Sequence, residues 1–381
     1  MKYGIPIAAT LALATAAPAQ VEVERLARLA PAALKRIDPC LVTIQVYGGT
    51  RVNTPVAKKK PAEGKEKNQK GKPPRRPRRR PFPIARGATS GVIISPDGLI
   101  ITSLWSFQLA PTTIVVELRD GRKLMARALG RDFSRGLALL QVEAGDLPLP
   151  EPAPPATIRP GRLVLATGRT FGPELPASSM GILSAVGRLG GRAVQTDADV
   201  SPSCYGGALI DLEGRIIGVL APLSPRGFAA GIQWYDSGIG FAATWAGIEE
   251  ILPRLRRGEE IHPGRAGIAL DPSHLGPGAV IAAPSLPGRL PPGTPQPQAV
   301  TGPAKKAGLK AKDRILEMDG VKIRHSFHLE NLLAACYAGD QVALTVKRGE
   351  KLLSVKLTLE KRSMAAPLPK LPFPVKVPGQ R

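Results

Sequence analysis

The stretch SPSCYGGAL, Ser201 to Leu209, sets two hydroxyls, a thiol and a phenol on one loop that runs into Gly-Gly. Those groups could support covalent acyl transfer. A serine or cysteine attacks an acyl carbon only when a base within about 2.6–3.2 Å takes its proton and a third group holds that base. The chain has four histidines, His262, His274, His325 and His328, and all follow residue 261. Ser201 and Ser203 are therefore expected to lack an imidazole partner. Cys204 needs a lowered pKa to react, and its neighbours on an extended segment face the opposite side, so it reads as a structural thiol. Asp197 and Asp199 in QTDAD share a strand face by their spacing of two, yet read as turn and rim residues, not an acid pair. Cys40, Cys204 and Cys336 are far apart and odd in number, which argues against a zinc site or a disulfide framework. No phosphate-cradling glycine loop or dinucleotide fingerprint occurs, and neither metal nor cofactor is expected.

The elements that must position this loop are short. A chain of 381 residues with 40 prolines, 41 glycines and 4% aromatics suits two globular units rich in turns. The opening MKYGIPIAATLALATAAPAQ has an early lysine, a short apolar run and Ala17-Pro18-Ala19, the parts of a signal peptide over 1–19. ALKRIDPCLVTIQV reads as a helix end, a proline turn and a strand. ATSGVIISPDGLIITS reads as a hairpin through Pro-Asp-Gly. Strand-like runs recur at short spacing to SGIGFAAT, the mark of a β-sandwich or barrel, and AGIEEILPRLRR adds an amphipathic helix. A first domain over 20–258 follows. The second, 259–362, combines short strands, AKKAGLKAKDRILEMDG, a helix HLENLLAACYAG closed by Gly339, and a hairpin through Arg348-Gly349, with a proline-rich insertion at 284–298. The tail 363–381 is too proline-rich to fold alone.

Charge is concentrated. The formal net charge is +23, and residues 58–80 hold twelve cations against Glu63 and Glu66, a net +10. Such a run repels itself and has no core to bury, so an insertion over 56–85 is expected to be disordered. Lys58, Lys59, Lys60, Arg75, Arg76, Arg78, Arg79 and Arg80, without interleaved aromatics, suit counterion-release contact with anionic cell-surface polymers or lipid headgroups, not specific nucleic-acid reading.

From Ala33 to Arg362 the chain resembles the HtrA (Do-like) trypsin-fold serine proteases with one PDZ domain. The pieces that carry this are ALKRIDPCLVTIQV, ATSGVIISPDGLIITS, ELRDGRKLMARALGRD, LALLQV, MGILSAVGR, QTDAD, YGGALIDLEGRIIGV, GIGFA and GPAKKAGLKAKDRILEMDGVKI. The resemblance implies a mostly β fold: a chymotrypsin/trypsin-like double β-barrel of two six-stranded barrels, then an α+β PDZ domain. It also places Trp105 at the family's histidine, Gly136 at its aspartate, Tyr205 at its serine and Ser203 at its oxyanion-hole glycine. With those degenerate positions, no catalytic residue is expected and the chain reads as no enzyme, with Trp105 and Tyr205 facing each other across the cleft.

What remains is a peptide-binding, scaffold or regulatory module of envelope protein quality control, exported to the periplasm or beyond. The alternatives are an active serine endopeptidase of the family and a protein anchored at an anionic surface by the basic run. The resemblance implies capture of peptide or protein C-termini by strand addition, with the Arg265-Ala266-Gly267-Ile268 loop on the carboxylate. Leu329, Leu332 and Leu333 are candidates for its apolar pocket or for plain core. The family also implies a homo-oligomer, a trimer.

Overall fold

Pro96-Asp97-Gly98 turns the chain between β2 (Thr89–Ile93) and β3 (Leu99–Ser103), whose register runs Gly91↔Thr102 to Ile93↔Ile100. Gly98 adopts a φ of 93°, and a Cβ there would lie 2.3 Å from the Val142 carbonyl, so only glycine fits the turn. The computed structural model describes residues 28–48, 87–108, 110–170, 176–223, 238–283 and 299–362. The expected signal peptide, the basic insertion with its eight named cations, the proline-rich insertion and the tail lie outside the described residues.

A helix over 28–37, α1, and a 3-10 turn at Asp38–Cys40 lead into β1 (Leu41–Tyr47). With β2, β3, β4 (Thr113–Glu117), β5 (Lys123–Asp132) and β6 (Leu137–Val142), β1 forms a sheet that closes through β5–β6 pairing into a six-stranded barrel. The second barrel closes in the order β10-β11-β12-β9-β8-β7, from β7 (Leu163–Gly168), β8 (Ala177–Arg188), β9 (Ala193–Thr196), β10 (Ala208–Asp211), β11 (Ile216–Leu220) and β12 (Gly240–Thr244). Strands β2, β3, β10 and β11 are buried along their whole length, so none shows the in-and-out alternation of a half-exposed strand. Trp245, Ile248, Ile251 and Leu255 place one apolar stripe of α2 (Trp245–Arg256) against both barrels' cores.

The chain then adds β13 (Glu260–Ile261) in parallel to β5, so the first barrel's sheet takes in residues beyond the expected boundary at 258. In the PDZ domain β14 (Gly264–Arg265) pairs with β20 (Glu360–Lys361). The remaining sheet runs β15 (Ala279–Val280), β16 (Arg314–Met318), β18 (Gln341–Arg348), β19 (Lys351–Thr358), with β17 (Val321–Lys322) on β16. Helices α3 (Gly302–Lys306) and α4 (Ser326–Ala334) complete it. Helix α4 ends at Ala334 and not at Gly339, because the following residues dock on the barrels. Arg135 Nη1 donates to the Tyr337 hydroxyl at 2.9 Å. The Arg192 and Arg254 guanidinium carbons stand 4.4 and 5.3 Å from the Tyr337 ring centroid.

His262 closes the same joint. It is buried, stacks on Phe133 at 4.3 Å, and its carbonyl accepts from Ala338 N–H. Burial pushes its pKa below the ordinary 6.5, and nearby Lys361 adds to this against the opposing pull of Glu260. The unfolded chain thus binds the proton more readily, and this group's contribution falls as pH drops through about 6.5 to the depressed value. Between pH 7.5 and 5.5 the thermal midpoint is expected to fall further in the wild type than in His262→Gln. Equal shifts in both proteins would remove His262 as the cause.

Candidate functional site

The site is built where the β2–β3 hairpin meets the loop before β10. After β3 the chain tightens into a 3-10 turn, Leu104–Phe107. Ser103 caps it by accepting from Trp105 N–H at 3.2 Å. Gly136, held at a φ of 66°, supplies the carbonyl that accepts from Leu104 N–H at 2.7 Å and from Ser103 Oγ at 3.4 Å. The backbone at Gly136 therefore positions Trp105, although its own position carries no side chain.

On the facing loop Pro202–Cys204 forms another 3-10 turn, and Tyr205 N–H donates to the Pro202 carbonyl at 3.3 Å. That amide is spent inside the loop in this conformation. The Tyr205 carbonyl accepts from Ser90 N–H at 3.2 Å, tying the loop to the first barrel. Next to it Gly206 has a φ of 85°, and a Cβ there would meet the Ser90 carbonyl at 2.1 Å, so no side chain can follow Tyr205.

Trp105 and Tyr205 meet as expected: their ring centroids are 6.0 Å apart at 75°, an edge-to-face contact. Both are buried, at 5% and 4% exposure. Tyr205 comes from the second barrel's loop yet packs in the first barrel's core with Val42, Ile44, Ile100, Leu104 and Phe107. Cys204, one residue earlier, packs in the second barrel's core with Val164, Ala166 and Leu209. Ser201 and Ser203 are joined through their hydroxyls at 2.5 Å, and the Ser203 carbonyl accepts from Ser90 Oγ at 3.1 Å. All four histidines lie at or beyond the joint to the PDZ domain, so none of the described residues of either barrel offers an imidazole. Asp197 accepts from Ile182 N–H at 2.6 Å, and the Asp199 carbonyl accepts from Ser179 Oγ, so both serve local β-structure.

In the PDZ domain Arg265 lies in β14 and donates from Nη2 to Thr301 Oγ1 at 2.8 Å. Ala266 is buried. Gly267 has a φ of 79°, its carbonyl accepts from Thr301 N–H, and a Cβ there would meet the Thr301 carbonyl at 2.1 Å. Ile268 bridges Val300, with ladder bonds made by the residues on either side, Thr301 N–H to Gly267 and Ala269 N–H to Ala299. In such a pair the peptide groups of Ile268 itself point away from Val300, toward the open edge. Leu329 is fully buried core, while Leu332 and Leu333 are half-buried beside it. Among the described residues no cluster of His, Cys, Asp or Glu could hold a metal ion.

Sequence reading missed the joint. Asp132 and Arg135 form a buried ion pair at 3.0 Å, with Asp132 also accepting from Ser134 and Arg135 N–H. Burial works against the charge of Arg135, and Asp132 beside it holds its pKa above the ordinary value. The spacing of R-D-F-S-R was the available signal, an acid three residues before a base.

Residues 89–219 match the family model described as a trypsin-like peptidase domain, and residues 299–359 match that of a PDZ domain. A putative serine protease HhoB of Synechocystis sp. is 29% identical over 294 residues, covering 71% of this chain and 66% of that protein. A probable periplasmic serine endoprotease, DegP-like, of Marinomonas sp. is 31% identical over 291 residues, covering 72% and 57%. For a probable periplasmic serine protease do/HhoA-like of Haemophilus influenzae the figures are 30% over 343 residues, 86% and 70%. The protein thus spans between about half and two thirds of the length of the first two relatives. Among solved structures, the HtrA-type protease AlgW with tripeptide matches with a TM-score of 0.61 at 24% identity, over 88% of this chain and 97% of that one. The serine endoprotease from Yersinia pestis matches with 0.58 at 23%, over 87% and 98%. The double barrel with a following PDZ domain is the fold they share. The protein was expected to be no enzyme, but these relatives are named as serine proteases and endoproteases, and peptide-bond hydrolysis is the activity class their names carry.

Proposed function

Because the protein belongs to the HtrA/DegP family of trypsin-fold serine proteases and carries one PDZ domain, we propose that it handles polypeptides outside the cytoplasm. Its PDZ domain captures polypeptide C-termini, and its barrel pair is the module to which the relatives' serine endopeptidase activity is assigned. The observation that carries the capture is the edge at Ile268, whose peptide groups face away from Val300 beside the left-handed Gly267. An incoming strand pairs with such an edge, and its terminal carboxylate meets the amides of the turn, with Arg265 adding charge. The family's homo-oligomer, a trimer, is part of this reading. The setting in this reading is the periplasm, supported by relatives that are named periplasmic, and no described helix is long and apolar enough to cross a membrane.

Hydrolysis by this protein would use groups other than Trp105, Gly136 and Tyr205. The hydroxyls on the loop are Ser201 and Ser203, hydrogen-bonded to each other. Casein digestion combined with a fluorophosphonate probe measures it. Cleavage with label on Ser201 or Ser203, lost in the serine-to-alanine variants, supports hydrolysis by this loop. Intact casein and no label would withdraw the endopeptidase part of the reading and leave capture standing.

A further inference from the structure

Two buried donors on the turn that carries Trp105 have no acceptor among the described residues. A 3-10 helix has three residues per turn, so side chains at i and i+3 eclipse. Trp105 begins such an interval and Gln108, still helical at φ −61° and ψ −26°, ends it. The two side chains therefore leave the same side of the backbone. Trp105 Nε1 and Gln108 Nε2 are both buried and neither has a hydrogen-bond partner among the described residues. Native structures keep few such groups, because a buried N–H stripped of water and left unpaired costs free energy that packing does not return.

What would satisfy them follows from their chemistry. Indole N–H is a donor only, and the amide –NH2 offers two more protons, so the missing group is an acceptor. Both donors are neutral, and Trp105 packs in the apolar core with Ile100, Leu104 and Phe107, where an ion is far costlier to bury than a carbonyl. A carbonyl oxygen has two lone pairs, one for each donor. The Tyr205 ring lies against the indole, 6.0 Å away and edge to face, on the loop that brings the two barrels together.

We propose that Trp105 Nε1–H and Gln108 Nε2–H form a binding point for a main-chain carbonyl oxygen of a polypeptide in the cleft, with the Tyr205 ring as its cover. This rests on the polypeptide-handling reading above. For the oxygen to reach the indole, Tyr205 must leave its packing with Val42, Ile44, Ile100, Leu104 and Phe107 as well as the edge-to-face contact.

The test uses the full-length protein labelled with 5-fluorotryptophan. It has three tryptophans, Trp105, Trp234 and Trp245, and Trp105→Phe assigns the first in a 19F spectrum. Saturating β-casein is expected to shift the Trp105 resonance. Trp105→Phe keeps a ring against Tyr205 but removes the donor, and is expected to weaken casein binding about two- to tenfold, the loss of one net hydrogen bond. Gln108→Leu, whose side chain is outside the aromatic contact, is expected to show a similar loss. An unmoved Trp105 resonance with bound casein, or unchanged affinity in both folded variants, would overturn this inference alone. Absence of any casein binding would take the polypeptide reading down with it.

Discussion

Trp105→Ala and Tyr205→Ala are each expected to lower stability by about 3–5 kcal/mol, the range for deleting a buried aromatic side chain. Both rings are at least 95% buried, and Tyr205 reaches from the second barrel into the first barrel's core, so each deletion leaves a cavity at the seam between barrels. The double variant is expected to lose less than the sum of the two, with a coupling of about 0.5–1.5 kcal/mol for the edge-to-face pair. Urea unfolding of the four proteins checks this. Additive losses would mean that the rings are buried beside each other without interacting.

The second large effect concerns Asp132. It is fully buried and holds Arg135, which is itself buried and carries the hydrogen bond to Tyr337 of the PDZ domain. Asp132→Ala leaves a guanidinium in the interior without its carboxylate, and removal of one partner of a buried pair costs about 3–5 kcal/mol. Arg135→Met, which removes the cation and keeps apolar bulk, is expected to cost less on the barrel side but to free the PDZ joint, because Tyr337 loses its donor. Proteolysis between the domains is the readout for that release. If Asp132→Ala were neutral, the pair would not be organising the joint.

Much of this arrangement was legible in the residues. Pro96-Asp97-Gly98 marked the first hairpin, the recurring short apolar runs marked a β-sandwich or barrel, and the pair of six-stranded barrels was legible only through the family resemblance. The meeting of Trp105 with Tyr205 was legible because triad positions converge in space whatever residues occupy them. Other features were not. Tyr337 touches Arg135, Arg192 and Arg254, and contacts across such separations leave no periodicity in the sequence. For the same reason α4 stops at Ala334, while its local composition continues a helical pattern to Gly339. Leu329, Leu332 and Leu333 look alike in sequence, yet only the packing of α4 on the sheet separates the fully buried Leu329 from its half-exposed neighbours. The activity class also lay outside the reach of residue reasoning, since the replaced positions argued one way and the relatives' names another.

In the proposed function, polypeptide C-termini dock on the edge at Gly267 and Ile268. Substituting Gly267 cannot test it, because any side chain there collides with the Thr301 carbonyl at 2.1 Å and damages the fold. The ligand can be changed instead. A fluorescent decapeptide ending in an apolar residue with a free carboxylate is compared with its C-terminally amidated twin, by anisotropy against the full-length protein. The free acid is expected to bind and the amide to bind at least about tenfold more weakly, the loss of charge-assisted hydrogen bonds to the carboxylate. Equal affinity for the two peptides would contradict it.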